Sequence, residues 1–238
     1  MKTKIKTRHK ADKDMINDCI RNYSHFSFDE NSVVLDLGCN VGGMMHWLAD
    51  IDIKQYIGFD ALSENVEFFK ENNLPDKSNY EVFHGAASTS TDPEITFHIN
   101  PEMRGTTNGQ THPTRRQKQH RSVALTVPNY NIDALIQLYK PTHLKLDIKG
   151  TEMVWFESTG GKLPFCVQEF FVEVYTRKGA IRYDTEFFPL QLEEFVVQYT
   201  YPTERFKGMG NWYSLPNLGH PDVNAQLYDV NVLLKRKH

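Results

Sequence analysis

Cysteine is scarce in this chain: Cys19, Cys39 and Cys166 are the only three in 238 residues. An odd count without regular spacing argues against a disulfide framework and a zinc site, and it favours a reducing compartment. No metal is expected. Long apolar runs are missing too, and none approaches the roughly 20 residues that a membrane span needs. The start, MKTKIKTRHKADKDM, is basic but has no apolar stretch behind it, so it does not read as a signal peptide. These absences predict a cytoplasmic protein without a membrane partner. A strong charge of one sign is also lacking. The formal net charge is -3 with 24% charged residues, an ordinary mixed surface. Internal repeats and low-complexity linkers are absent, and the length suits one sizeable core.

What is present is an alternation of short strands and helices. VVLDLG (33–38) is an apolar run ending in glycine, QYIGFD (55–60) a second strand ending on an acid, and YEVFHGAAS (80–88) a third. Helices are expected over 14–28, after Gly42-Gly43, after a Ser63 cap, over 131–140 and over 151–159. EITFHI (94–99) and VALTVP (123–128) alternate as strands, as do THLKLDIKG (142–150), EFFVEVY (169–175), NWYSL and VNVLLKRK. Strand, glycine turn, helix and strand in repetition predict an α/β fold, a Rossmann-like, doubly wound and mostly parallel sheet. Ligands of such sheets bind beyond the carboxyl ends of the strands, where the winding reverses. Residues 14–238 are expected to form a single domain, preceded by a basic tail at 1–13.

DLGCNVGG (36–43) places glycines where a backbone must turn sharply or approach a ligand closely. It is neither the G-x-G-x-x-G pattern nor a P-loop, which would need Gly-Lys-Ser/Thr. Asp60 follows Gly38 by about the twenty residues expected of an acid that grips ribose hydroxyls. Without a basic residue in the loop a pyrophosphate fits poorly. A cofactor with a ribose and a positive centre fits better, and S-adenosylmethionine has both. The expected cofactor residues are Asp36, Gly38, Cys39, Asn40 and Gly42 in the loop, Asp60 at the ribose, and Ala86 and Ala87 near the adenine.

These motifs resemble those of class I S-adenosylmethionine methyltransferases, and of the FkbM family in particular. That family's first motif reads approximately D-x-G-A-N-x-G, which Asp36, Gly38, Asn40 and Gly42 match, with Cys39 in place of the alanine. Its later motif reads approximately K-x-D-x-E-G-x-E. Here NIDALI is followed by Lys145, Asp147, Gly150 and Glu152, while Lys149 replaces the glutamate. FFVEVY, with Glu173, is similar to a further acid-bearing strand of the family. The resemblance covers about residues 30–178. It implies the class I methyltransferase fold and methylation of hydroxyl oxygens of sugars or small molecules, with Glu152 and Glu173 at the acceptor.

Lys149 poses an electrostatic problem. A second cation about 6 Å from the cofactor's sulfonium costs on the order of 3 kcal/mol at an effective dielectric near 20. Lys149 is therefore expected to pair with Asp147, Glu152 or Glu173. A hydroxyl acceptor needs a general base. Asp147 is the first candidate by strand position, with Lys145 and Lys149 as catalytic partners; His143, His84 and His46 are weaker ones.

Segment 104–121 holds Arg104, Arg115, Arg116, Lys118 and Arg121 and no acid. Arg104, Arg115 and Arg116 are candidates for an anionic acceptor, and a nucleic-acid or nucleotide methyltransferase is the rival reading. Against it, the DIKG that follows the strand is not the D/N/S-P-P-Y/F of amino-methylating enzymes, and no Pro-Cys pair exists for a cytosine enzyme. A third reading is a subunit that binds the cofactor with impaired catalysis. The acceptor and the oligomeric state are not written in the sequence.

Overall fold

Apolar runs too short for helices build the centre of the molecule. The computed structural model describes residues 6–8, 10–72, 78–99, 123–149, 151–159, 162–176, 195–202 and 228–237. Its elements are α1 (Lys10–Tyr23), β1 (Val33–Leu37), α2 (Gly43–Trp47), β2 (Gln55–Asp60), α3 (Ser63–Glu71), β3 (Tyr80–His84), β4 (Ala86–Ser88), β5 (Glu94–Ile99), β6 (Val123–Asn131), α4 (Ile132–Tyr139), β7 (His143–Leu146), α5 (Glu152–Ser158), β8 (Glu169–Thr176), β9 (Phe195–Pro202) and β10 (Tyr228–Arg236).

The main sheet runs β3-β2-β1-β7-β8-β10-β9. The five strands from β3 to β8 are parallel, and β10 is antiparallel to both of its neighbours. The order steps outward one way from β1 and the other way from β7, so the winding reverses between these two strands. This is the Rossmann-like, doubly wound order of the class I methyltransferase fold.

Both faces of the central strands are covered, so β1 is buried at all five positions. Val33, Leu35 and Leu37 pack with Ile132, Leu135 and Ile136 of α4 and Trp155 and Phe156 of α5. Val34, one pleat away, packs with Tyr23 of α1, Met44 and Met45 of α2 and Phe69 of α3. Trp155 is fully buried, and its Nε1 donates to Asp133 Oδ1 at 2.8 Å, which ties α5 to α4.

Several expectations shift. The strand expected over 80–88 breaks at Gly85, which sits at φ 155°, where a Cβ would lie 2.4 Å from the Tyr130 ring. Ala86–Ser88 leave the main sheet and pair with β6, which pairs in turn with β5 to make a separate three-stranded sheet. The first helix begins at Lys10 and ends at Tyr23, not over 14–28. Asp12 in its first turn accepts the Arg8 backbone N–H at 2.9 Å, so part of the expected basic tail belongs to the fold. Ser63 is the first helical residue rather than the cap, which is Leu62. Asn131 does cap α4, its Oδ1 accepting from the Ala134 N–H at 3.0 Å. β9 was not anticipated; NWYSL lies outside the described residues.

Candidate active site

The carboxyl ends of β1, β2 and β7 converge on one cleft that is open to solvent. Its first wall is the loop after β1. Gly38 has φ 84°, and a Cβ there would lie 2.0 Å from the Asp147 carbonyl oxygen, so only glycine lets the loops after β1 and β7 touch. The Gly38 and Cys39 N–H groups donate to Phe59 O at 2.9 and 3.0 Å, which pins the loop to β2. Asn40 is left-handed at φ 50°, a conformation that a short amide side chain tolerates.

Asp36 does not face this cleft. It is 1% exposed, and its Oδ1 accepts from Lys145 Nζ at 2.8 Å while Oδ2 accepts from the Tyr56 hydroxyl at 2.6 Å. Lys145 Nζ also donates to Gly38 O at 2.8 Å. The two residues form a buried ion pair that props the loop from beneath. Burial alone would lower the Lys145 ammonium, but Asp36 and Asp147 hold it above its ordinary value. A role for Asp36 as a direct cofactor contact gives way to one as a support.

Asp60 closes β2 and lines the cleft. Its Oδ1 accepts from Leu62 N at 2.9 Å and Asn65 Nδ2 at 3.0 Å, and its Oδ2 from Asn40 N at 2.9 Å. A carboxylate has about four acceptor sites, so these three donors leave one. A grip on both ribose hydroxyls by Asp60 alone is therefore more than this geometry offers. Burial raises the Asp60 carboxyl above its ordinary range, against the three hydrogen bonds that favour the charged form.

The far end of the cleft is charged. Lys149 is left-handed at φ 58°, and its Nζ lies 2.7 Å from Asp147 Oδ1 and is also bonded to Glu173 Oε2. The expected pairing is thus met by two partners at once. The two carboxylates share one ammonium, and each affects the other's hold on its proton. Burial would raise Asp147, but Lys149 and Lys145 outweigh it and hold it below its ordinary value. Burial first, and the Asp147 charge second, push Glu173 well above its own, against Lys149. Glu152, the third candidate, instead accepts the Ile148 N–H at 2.6 Å and braces the loop that carries Lys149.

Gly38, Cys39, Asn40, Asp60, Ala86, Ala87, Lys145, Asp147 and Lys149 all line the cleft. Gly42, at φ 90°, packs behind it against Phe69. Arg104, Arg115 and Arg116 lie outside the described residues. His143 sits at the amino end of β7, roughly 13 Å of strand away from Asp147, buried between Phe26 and Phe28. His84 Nε2 is 3.1 Å from Ala61 O, and burial pushes His46 down to about 4. Sequence reasoning missed several lining residues, among them three from β5 and α1. Phe97 comes from β5 and packs with Leu62, Ala86 and Val127; Cys19 and Tyr23 come from α1. The four-residue spacing of Cys19 and Tyr23, on one face of α1, was the available signal.

No family model matches the chain, and neither does any curated protein. Solved structures do resemble it at low identity. An rRNA methylase from Streptococcus thermophilus is 11% identical with a TM-score of 0.44, covering 98% of this chain and 100% of its own. The C-terminal domain of precorrin-6Y C5,15-methyltransferase from Rhodobacter capsulatus is 9% identical with a TM-score of 0.45, covering 93% and 89%. A dimethyladenosine transferase from Plasmodium falciparum is 12% identical with a TM-score of 0.45, covering 94% and 61%. Those activities are the neighbours' own. Among the described residues no helix is long and apolar enough to cross a membrane, and no cluster of metal ligands occurs.

Proposed function

We propose that the chain is an S-adenosylmethionine-dependent methyltransferase of the FkbM type, acting on a hydroxyl of a small molecule or sugar. The observation that carries this reading is the cleft at the reversal of the winding. One of its walls is the glycine-bearing loop 38–43, propped by the Lys145–Asp36 pair, and another holds a carboxylate with one acceptor site to spare.

The residues present fit the cofactor. Loop 38–43 would receive its methionine end, Asp60 one ribose hydroxyl, and the apolar group of Leu62, Ala86 and Phe97 its base. When bound, the cofactor supplies an activated methyl on a cationic sulfur. The chain's own work is to position the acceptor and remove its proton. Asp147, held low, is a weak base. Glu173, held high, has the proton affinity that Asp147 lacks. Joined through Lys149, the two titrate as a unit, Asp147 at the cleft and Glu173 behind it. This pairing supports a hydroxyl acceptor, which must lose a proton.

Calorimetric titration with S-adenosylmethionine and its demethylated product tests the reading. Micromolar binding is expected, weakened by about tenfold to a hundredfold in Asp60→Ala, the range for one hydrogen bond to a charged group. A folded protein that binds neither compound would overturn it.

A further inference from the structure

The basic N-terminal run carries one residue that the proposed chemistry does not use and the fold does not need for its core. Arg8 lies two residues before α1, half-buried against α3. Its Nη2 donates to Asn65 Oδ1 at 2.8 Å, its Nη1 to Glu64 O at 3.4 Å, and its Nε to Asp12 Oδ2 at 3.2 Å. Its guanidinium lies 5.0 Å from the centre of the Phe68 ring. Asn65, 1% exposed, donates in turn from Nδ2 to Asp60 Oδ1 at 3.0 Å.

From this chain of contacts we infer that Arg8 is a positioning residue for the cofactor cleft: through Asn65 it fixes how the Asp60 carboxylate meets a ribose. The inference rests on the methyltransferase reading above.

The physical argument is about the Asn65 amide. Its oxygen and its NH2 have nearly the same shape, and only their partners decide which way it points. A guanidinium can only donate, so Arg8 holds the Asn65 oxygen towards itself. That leaves the NH2 towards Asp60. If the amide turned over, an oxygen would face the Asp60 carboxylate, two acceptors without a proton between them. Asp60 would then lose one of three donors that keep a buried carboxylate charged, and its free acceptor site would no longer be aimed. The same segment matters sterically. Arg8 clasps α3 just before α1 begins, and α1 supplies Cys19 and Tyr23 to the cleft wall.

The test compares two ligands. One is S-adenosylhomocysteine; the other is its 2′,3′-dideoxy analogue, which lacks both ribose hydroxyls. Wild type should prefer the first. Arg8→Met should bind it about tenfold more weakly and lose most of that preference, while binding of the dideoxy analogue stays near wild type. Arg8→Lys, which can still donate to the Asn65 oxygen, should keep part of the preference. In an Asn65→Ala background, Arg8→Met should cost no further preference, because the relay is already broken. A merely structural Arg8 would weaken both ligands alike and add to Asn65→Ala, and that pattern overturns the inference. So does a folded Arg8→Met that discriminates like wild type. Should wild type bind neither ligand, the methyltransferase reading falls first and the inference with it.

Discussion

The two ends of the cleft hold their carboxylates by opposite means. At the end of β2, Asp60 is held by neutral donors, two backbone N–H groups and one amide. At the end of β7, Asp147, and beside it Glu173 from the middle of β8, are held by the Lys149 ammonium, with Lys145 nearby. Neutral donors aim a carboxylate without cancelling its charge, so Asp60 keeps an acceptor site pointing outward. An ammonium between two acids cancels charge and leaves a proton that the pair can share. The first arrangement suits recognition of hydroxyls, the second movement of a proton. The cation beneath the first wall, Lys145, serves both ends. It is the prop on which both ends rest, because its amine reaches Gly38 O and its pair partner sits inside β1.

The largest effect should come from removing that prop. In Lys145→Met the Asp36 carboxylate stays in the core, 1% exposed, with the Tyr56 hydroxyl still donating to it. Breaking a buried pair from one side costs about 3–5 kcal/mol. Urea unfolding should show that loss, and a variant as stable as wild type would show that the pair holds nothing. A smaller effect is expected at the other end. Lys149→Glu installs the glutamate of the FkbM pattern but sets a third carboxylate beside Asp147 and Glu173. Lys149 and Asp147 are 12% and 25% exposed at their side chains, so water softens the repulsion. A loss of about 1–3 kcal/mol and of most turnover is expected. A gain of turnover would mean instead that the lysine impairs the site.

How much of this was legible beforehand differs between the two ends. The Asp60 end was readable in outline, since a glycine loop, a strand and an acid at a set distance are local facts of the chain. Its detail was not, because the three donors to Asp60 come from the loop after β1, the turn after β2 and α3. Nor was Phe97 readable, because β4 leaves the main sheet only where Gly85 must avoid Tyr130, a contact 45 residues apart in sequence. At the charged end the electrostatic argument asked for a partner for Lys149 and named three candidates, among them the two that pair with it. It could not say which, because the answer depends on the left-handed backbone at Lys149 and on Glu152 being taken by the Ile148 N–H. Lys145 and Asp36 were both singled out, but for the ligand. That they face each other follows from the register of β1 against β7, where the two residues are direct partners.

The smallest expected effect sharpens the comparison most, since it reads the proton at the charged end. Glu173 is pushed up to about 8 from an ordinary 4.5, by burial and then by Asp147, against Lys149. A carboxyl raised on folding binds its proton more tightly in the folded state. Its contribution to stability is full below about 4.5 and is lost as pH rises through about 8. Asp147 runs the other way: held low by the lysines, it contributes above 3.8 and loses that as pH falls towards about 2. His46, pushed down to about 4 by burial, opposes Glu173 below 6.5, where the unfolded chain takes up the proton first. Between pH 6.5 and 8 His46 is neutral in both states and Asp147 charged in both, so the slope there belongs to Glu173. Stability measured by urea unfolding should therefore fall as pH rises across that window. Glu173→Gln, which keeps the shape and cannot ionise, should flatten the fall. A wild type whose stability is level from pH 6.5 to 8 would mean that Glu173 is already charged near neutrality, leaving the Asp147–Glu173 pair without the shared proton that hydroxyl chemistry would use.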